Sequence, residues 1–396
     1  MEQHKEALKS LKFQPLNTTD FLVSAFIKKE LLRAEKDYDP RLISSFSARF
    51  NVFFGPMLYS WGKSLSSSWN KDHFILYTSG SRAEDISDWV LTNLTRMGVT
   101  IDDVDFIYSD EKRQDSHVTC EAYEFEFEMF EFMGIPTWFV NELRKTTKVH
   151  GITKNHGHHY FRKGGRNSGQ PNTSSGNSHM NAIKFIYSLW LQKPWDWSNI
   201  PFCLCVQGDD NLCLMRKDYS QHIDVDPIVQ TSAQYGFEIK ICQKTSNIYE
   251  IDYCSKIFYP VATHPLGYIL GPKIGKVLFK IGFAKKKVKD SYAHNRGIAL
   301  SLWNDVQQIP ILSTWVEKLM QLTEGVTPIE QPYDHGIHAR QPHTATDEVY
   351  ELMYHRYNIT ALDIEAINCD IESVPSLPYH VPSEMIEHIV VVDYTL

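Results

Sequence analysis

A chain of 396 residues that is 42% hydrophobic and 22% charged is globular material, long enough for two or three cores and neither disordered nor fibrous. Its net charge of -8 excludes a uniformly basic nucleic-acid coat, although 268–296 carries eight Lys or Arg against one Asp and 327–396 twelve acids against two Arg. Seven cysteines without framework spacing predict buried thiols in a reducing compartment, and the lack of any apolar run near ~20 residues or of an N-terminal apolar stretch predicts a soluble chain.

In chain order, Phe26 to Lys36 has helical periodicity and many cations, and runs into a proline break at Asp39-Pro40-Arg41. The segment from Met57 to Trp69 reads as a helix with a loop. Asp102 to Asp110 is an apolar-cored strand ending on an acid, and Asp115 follows five positions later. Glu124 to Phe132 alternates like a strand, yet its glutamates and length place it as a helix. Asn155 to Tyr160 holds three histidines without a matching Cys pair, so it reads as a loop and not a zinc site. A polar Gly-Pro loop, Asn167 to Ser178, feeds a helix from Met180 to Trp190, and its Ser, Thr and Asn suit helix capping.

Phe202 to Met215 consists of two apolar runs separated by Gly208-Asp209-Asp210 and reads as a buried β-hairpin with carboxylates at its tip. Adjacent acids there mark either a solvated turn or a hard-cation site. Alone the triplet decides little, since chance supplies it in roughly one chain in ten of this length. A helix from Ile223 to Tyr235, a stop at Gly236 and strands at Phe237–Cys242 and Ile251–Tyr259 follow. Residues 291–325 read as helical, 327–346 as a loop, and the remainder as a helix and an acidic tail.

Taken together, Asp110 and Asp115, then Ser168-Gly169 with Thr173 and Asn177, then Gly208-Asp209-Asp210 resemble motifs A, B and C of viral RNA-dependent RNA polymerases. The middle pattern should arise by chance in well under roughly one chain in a hundred. Arg41 and Arg49, with Lys28 and Lys29 upstream, resemble the basic motif F, Gly236 to Lys244 motif D, and Tyr253 to Lys256 motif E, the primer grip, with Cys254 and Ser255 at its centre. Asp39-Pro40-Arg41-Leu42-Ile43 and Gly271 to Leu278 are most similar to polymerases of nodaviruses and their positive-strand relatives.

The resemblance implies an α+β right hand: fingers over 1–101, a palm with an antiparallel sheet backed by helices over 102–275 with a fingers insertion near 140–167, and a thumb and tail over 276–396. It implies RNA-templated synthesis from rNTPs, with Mg²⁺, or alternatively Mn²⁺, held by Asp110 and Asp209 with Asp210 auxiliary. Arg41 and Arg49 would clamp the triphosphate alongside Ser168 and Gly169, and Lys240 or Lys244 would donate a proton to pyrophosphate. Asp115, Thr173 and Asn177 would select the ribose. The cation density at Lys273, Lys276, Lys285, Lys286 and Lys287, with Lys28 and Lys29, suggests contacts to template and product RNA. Viral replication complexes in host cytoplasm are the expected location, with other replicase regions or membrane reached through segments outside this chain. The rivals are a reverse transcriptase, whose motif A usually has a bulky aromatic at the place of Asp115, and a non-catalytic RNA-binding or scaffolding protein of the same fold.

Overall fold

The apolar runs on either side of Gly208 pair as an antiparallel hairpin, Phe202–Gln207 with Asp210–Arg216, with Cys205 opposite Leu212 and Gln207 opposite Asp210. Every residue from Phe202 to Val206 and from Asn211 to Met215 is buried, as expected for strands covered on both faces. Around it, the computed structural model describes residues 2–33, 41–154, 157–284, 286–329 and 339–395.

The chain begins with α1 (Glu2–Leu11), β1 (Val23–Ile27), β2 (Leu42–Ser45), α2 (Ala48–Ser68), β3 (Ile75–Tyr77), α3 (Ala83–Met97) and β4 (Val104–Glu111). Next come α4 (Gln114–His117), α5 (Cys120–Phe132), α6 (Thr137–Leu143), β5 (Lys148–Thr153), β6 (His159–Lys163) and α7 (Thr173–Gln192). The central hairpin supplies β7 (Phe202–Gln207) and β8 (Asp210–Arg216), followed by α8 (Lys217–Ser220), α9 (Val225–Gln234) and β9 (Ile239–Thr245). The C-terminal part holds β10 (Lys256–Pro260), β11 (Tyr268–Pro272), α10 (Ile274–Leu278), α11 (Ser291–Val306), α12 (Leu312–Leu322), α13 (Glu348–Tyr357), α14 (Ala361–Glu372) and α15 (Glu384–Thr395).

These elements form two units, Met1–Ser79 with Asp103–Lys244, and Gly80–Asp102 with Thr245–Leu396. The first holds a five-stranded sheet in the order β3-β7-β8-β4-β9. The helix α7 lies against it, burying Ala182, Phe185 and Leu189 with Ile107, Phe202, Leu204, Cys213 and Met215. A four-stranded sheet, β2-β1-β5-β6, belongs to the same unit. An aromatic core built on Phe46, Phe50, Phe54, Trp61, Phe127, Phe130 and Phe139 joins α2, α5 and α6.

Two segments depart from the periodicity reading. The span from Phe26 is not helical: Phe26 and Ile27 end β1, which pairs with β2 and β5 and buries Val23 and Ala25, 28–33 is irregular, and 34–36 lies outside the described residues. The helix expected from Met57 begins instead at Ala48, where Ser47 accepts a hydrogen bond from the Phe50 N–H, and it continues through Pro56 to Ser68. The segment Glu124–Phe132 is helical as expected, because Tyr123, Glu126, Phe127 and Phe130 bury one face at helical spacing.

The second unit is largely helical and packs Ile257, Tyr259, Val316, Leu352, Met353, Tyr357, Ile367 and Ile389 in one core. The expected helix and acidic tail are three helices, with the acids other than Asp393 turned from the core and Ile364, Ile367, Ile371 and Ile389 inward. Its charged interior is tied by Asp393, which accepts from the Tyr357 hydroxyl at 3.1 Å and the Gly275 N–H at 2.7 Å and lies 3.6 Å from the Arg356 guanidinium. Arg356 and Lys273 also pair with Asp252. Burial raises the Asp393 carboxyl above its usual range against the pull of Arg356. Asp393→Ala should therefore leave Arg356 buried and short of a counter-charge, lowering unfolding free energy by about 3–5 kcal/mol, as urea melts would show.

Candidate active site

Asp209 and Asp210 stand at the hairpin turn, where Gly208 takes a φ of +64°. The turn is held from α7: Gly208 donates its N–H to the Ser178 hydroxyl at 2.7 Å, and the Asn181 amide donates to the carbonyls of Gly208 and Asp209 at 3.0 and 2.9 Å. The Asn211 amide in turn donates to the Asn181 carbonyl oxygen at 2.8 Å, which fixes the orientation of that side chain. Antiparallel pairing of β4 with β8 then sets Asp110 opposite Asp210.

Burial, then the neighbouring charges of Asp110, Glu111 and Asp115, push the Asp209 carboxyl up to about 6, against hydrogen bonding at its own backbone. Local cations and amides offset part of this charge. The Lys240 ammonium lies 3.7 Å from Asp110. Behind the strand, Lys184 pairs with Glu111 at 2.5 Å with both side chains nearly buried, its ammonium 3.4 Å from the centre of the Phe237 ring. Desolvation raises the Glu111 carboxyl and lowers the Lys184 ammonium, each against the attraction of the other.

Asp115, on α4, accepts a 2.7 Å hydrogen bond from the Asn177 amide, so these two predicted ribose selectors meet across 62 residues of chain. The Asn177 side-chain oxygen Oδ1 is buried and has no hydrogen-bond partner among the described residues, whereas its backbone carbonyl accepts from the Gln114 amide at 3.2 Å. Thr173 does not join them in that way: its hydroxyl donates to the carbonyls of Asn167 and Gln170 and closes the loop ahead of α7. Ser168 and Gly169 dock that loop on β2. The Ser44 N–H donates to the Ser168 hydroxyl and Gly169 donates to the Ser44 carbonyl, so close that a Cβ on Gly169 would lie 2.9 Å from that oxygen.

A fully buried ion pair underlies the loop and was not singled out in the sequence. The Arg166 guanidinium donates to Glu126 at 3.1 Å, Asn172 donates to the other carboxylate oxygen at 3.2 Å, and the Arg166 N–H donates to the Asp115 carbonyl at 2.6 Å. A Cβ on Gly176 would fall 2.3 Å from that Glu126 oxygen, which explains a glycine inside α7. Nothing in the sequence marks Ser178, Asn181 and Lys184 either, since polar residues at helical spacing do not disclose that they face a sheet, and Glu111 ends β4 with its cationic partner 73 residues away.

Several other predicted residues are placed differently from one another. Arg49 spends its guanidinium on Asp20 at 3.1 Å and on the carbonyls of Gln14 and Pro15, which leaves it no fork for a triphosphate, whereas the Arg41 side chain is 70% exposed beside Glu30. Lys28 pairs with Glu30 at 3.4 Å, and Lys29 lies next to it in the irregular segment after β1. Lys244 donates to the carbonyls of Ser220 and Ile223, which leaves Lys240 as the motif D lysine beside the acids.

In the second unit, Lys273 is buried and paired with Asp252, which corrects its assignment to RNA: its charge is committed to the protein interior. Lys276 donates to the Ser255 hydroxyl at 2.8 Å, and Cys254 and Ser255 form a tight turn with φ of +53° and +58°. Lys286 and Lys287 are exposed, and Lys285 lies outside the described residues.

The donors at the hairpin are carboxylate oxygens, the ligands of hard divalent cations. Among the described residues no three His, Cys, Asp or Glu side chains are already set as a closed ligand group. Carboxylates at adjoining strand ends suit an ion of the Mg²⁺ type, which takes one or two carboxylates and completes its shell with water and substrate phosphate.

This constellation of acids, loop and hairpin is that of a right-hand polymerase. Residues 2–265 match the family described as viral RNA dependent RNA polymerase, and the chain belongs to it. An RNA-directed RNA polymerase of Groundnut rosette virus is 25% identical over 64% of this chain, and one of Tobacco necrosis virus strain A is 28% identical over 63%. These stretches cover 29% and 34% of the two relatives, so the chain aligns with about a third of their length. A Sicinivirus RNA-dependent RNA polymerase structure superposes with a TM-score of 0.62 at 16% identity, over 84% of this chain and 68% of that one, and shares the fold. The narrower likeness to nodavirus enzymes gives way to these plant-virus relatives, while the family stands.

The charge cost at Asp209 has a measurable sign. Because its folded pKa lies above the ordinary carboxylate value of 3.8, ionisation opposes folding, and the penalty is absent below about pH 4 and complete above about pH 6. Without divalent ions, Asp209→Asn should raise the Tm at pH 8 and lose that advantage as the pH falls to 4, as calorimetry would show.

Proposed function

We propose that the chain carries the catalytic core of an RNA-directed RNA polymerase, joining rNTPs on an RNA template and releasing pyrophosphate. The observation that carries the reading is the convergence of Asp110, Asp209 and Asp210 at adjoining strand ends, beside an Asp115–Asn177 pair suited to a ribose hydroxyl. Phosphoryl transfer depends on positioning and charge neutralisation more than on covalent help from the protein. A divalent cation held by Asp110 and Asp209, with Asp210 auxiliary, would supply Lewis acidity toward the primer hydroxyl and the phosphates.

The remaining roles fall to side chains. Arg41, exposed and forked, binds the triphosphate, and Ser168 and Gly169 keep the adjoining loop against β2. Lys240 holds the proton for the leaving pyrophosphate, a role supported by its place next to Asp110. Asn177 presents its unsatisfied Oδ1 to the 2′-hydroxyl while its amide is fixed by Asp115. The Cys254–Ser255 turn meets the primer, and Lys28, Lys29, Lys276, Lys286 and Lys287 serve the RNA backbone. Fingers, palm and thumb divided near 101 and 275, and action in cytoplasmic replication complexes, complete the proposal.

The direct test is nucleotide incorporation on an RNA template with Mg²⁺ or Mn²⁺, which Asp110→Ala and Asp209→Ala should abolish without unfolding the protein; full activity in either would sink the reading. Lys240→Leu should slow the chemical step by 10²–10⁴-fold at saturating rNTP, the range of a lost general acid, whereas Lys244→Leu should act through stability. For the sugar, Asn177→Ala should lower kcat/KM for an rNTP more than for its dNTP, since a site built around a hydroxyl rejects the analogue that lacks it. An unchanged ratio would remove Asn177 from that role.

A further inference from the structure

The four-stranded sheet β2-β1-β5-β6 presents one face to the core and one to solvent. Inward lie Val23, Ala25, Val149 and Gly151, with Tyr160 packed so closely over Gly151 that a Cβ there would strike its ring. Because side chains alternate, the opposite face carries Phe26, Lys148, His150, Phe161 and Lys163, all exposed, and Lys154 follows at the end of β5. Phe161 is 60% exposed and Phe26 37%, large aromatic surfaces that a sheet ordinarily covers.

The arrangement on that face is specific. His150 and Phe161 are cross-strand partners with ring centroids 5.1 Å apart. The Lys154 ammonium sits 5.0 Å over the Phe26 ring. Lys148 and Lys163 are directly opposite each other, a like-charge pair that destabilises a sheet unless an anion lies over it, and of the chain's own acids Glu121 lies near enough to Lys163 for their charges to interact. None of these four described strands carries an Asp or Glu, in a chain whose net charge is -8.

We propose that this face is a stacking platform for unpaired bases of single-stranded RNA. Exposed rings take the flat faces of splayed bases, and interleaved lysines track the phosphates. Duplex RNA fits poorly, since its bases are already stacked on one another. A second copy of the chain fits poorly too, because a two-fold contact through this face would set lysine against lysine. The platform lies on β1, β5 and β6, apart from the acids and from the Asp115–Asn177 pair, and it rests on the polymerase reading only in taking RNA as the strand bound.

The test measures binding of a labelled, unstructured RNA oligonucleotide and of an RNA duplex by fluorescence anisotropy over a range of salt. Phe26→Ala with Phe161→Ala should weaken single-strand binding about tenfold or more and leave duplex binding and Tm unchanged. Lys148→Gln with Lys163→Gln should reduce the slope of log affinity against log salt by about 1.4, two phosphate contacts on a single strand. Unchanged affinity and slope in both variants would overturn the platform, as would a change confined to sedimentation, which would make the face a self-association surface. Asp209→Asn separates the two readings: it should abolish incorporation and keep single-strand affinity. A wild-type protein that binds RNA through this face yet incorporates nothing would defeat the polymerase reading alone.

Discussion

Negative charge concentrated in a poorly solvated place is the constraint around which the first unit is arranged. Burial of Asp209, and after it the nearby charges of Asp110, Glu111 and Asp115, raise the cost of ionising that carboxyl. Each acid has a different compensation: Lys240 for Asp110, buried Lys184 for Glu111, the Asn177 amide for Asp115. Asp209 keeps a raised carboxyl despite these neighbours, a cost of the kind that a bound divalent cation would relieve.

Rigidity at the site comes from α7. Its Ser178 and Asn181 grip the hairpin turn, its Asn177 fixes Asp115, and its Lys184 neutralises Glu111, so one helix face positions all three motifs. Breaking the Arg166–Glu126 pair beside that helix would leave a buried charge alone, which costs far more than the pair gains over an apolar substitute. Its use here is geometric: it ties the loop before α7 to α5 and, through the Arg166 N–H, to the backbone of Asp115.

The second unit repeats this use of buried charge at a site without catalytic acids. Lys273 and Arg356 face Asp252 and Asp393 in its interior, so cations that read as an RNA-binding run are in part structural. Arg49 shows the same economy in the first unit, its guanidinium consumed by Asp20 and two carbonyls. A basic residue in a sequence is equally compatible with a phosphate, a carboxylate or a helix end, and only the partner decides.

By itself the sequence determined the hairpin, the acids at its tip, the order of the motifs and hence the family, because these depend on local chemistry: apolar runs of strand length, a glycine able to turn, and adjacent carboxylates that repel unless solvated or neutralised. It also held the Asp115–Asn177 meeting as an expectation, which the fold brought to 2.7 Å. Tertiary structure alone decided that Phe26 belongs to a strand, that Lys240 rather than Lys244 stands by Asp110, that Thr173 closes a loop, and that Arg166 and Glu126 form a buried pair. Thr173 meets partners close in the chain, Asn167 and Gln170, while the physical reason is common to the other three. Each outcome rests on which distant backbone or carboxylate a side chain meets, and contacts across tens of residues leave no periodic trace in the chain.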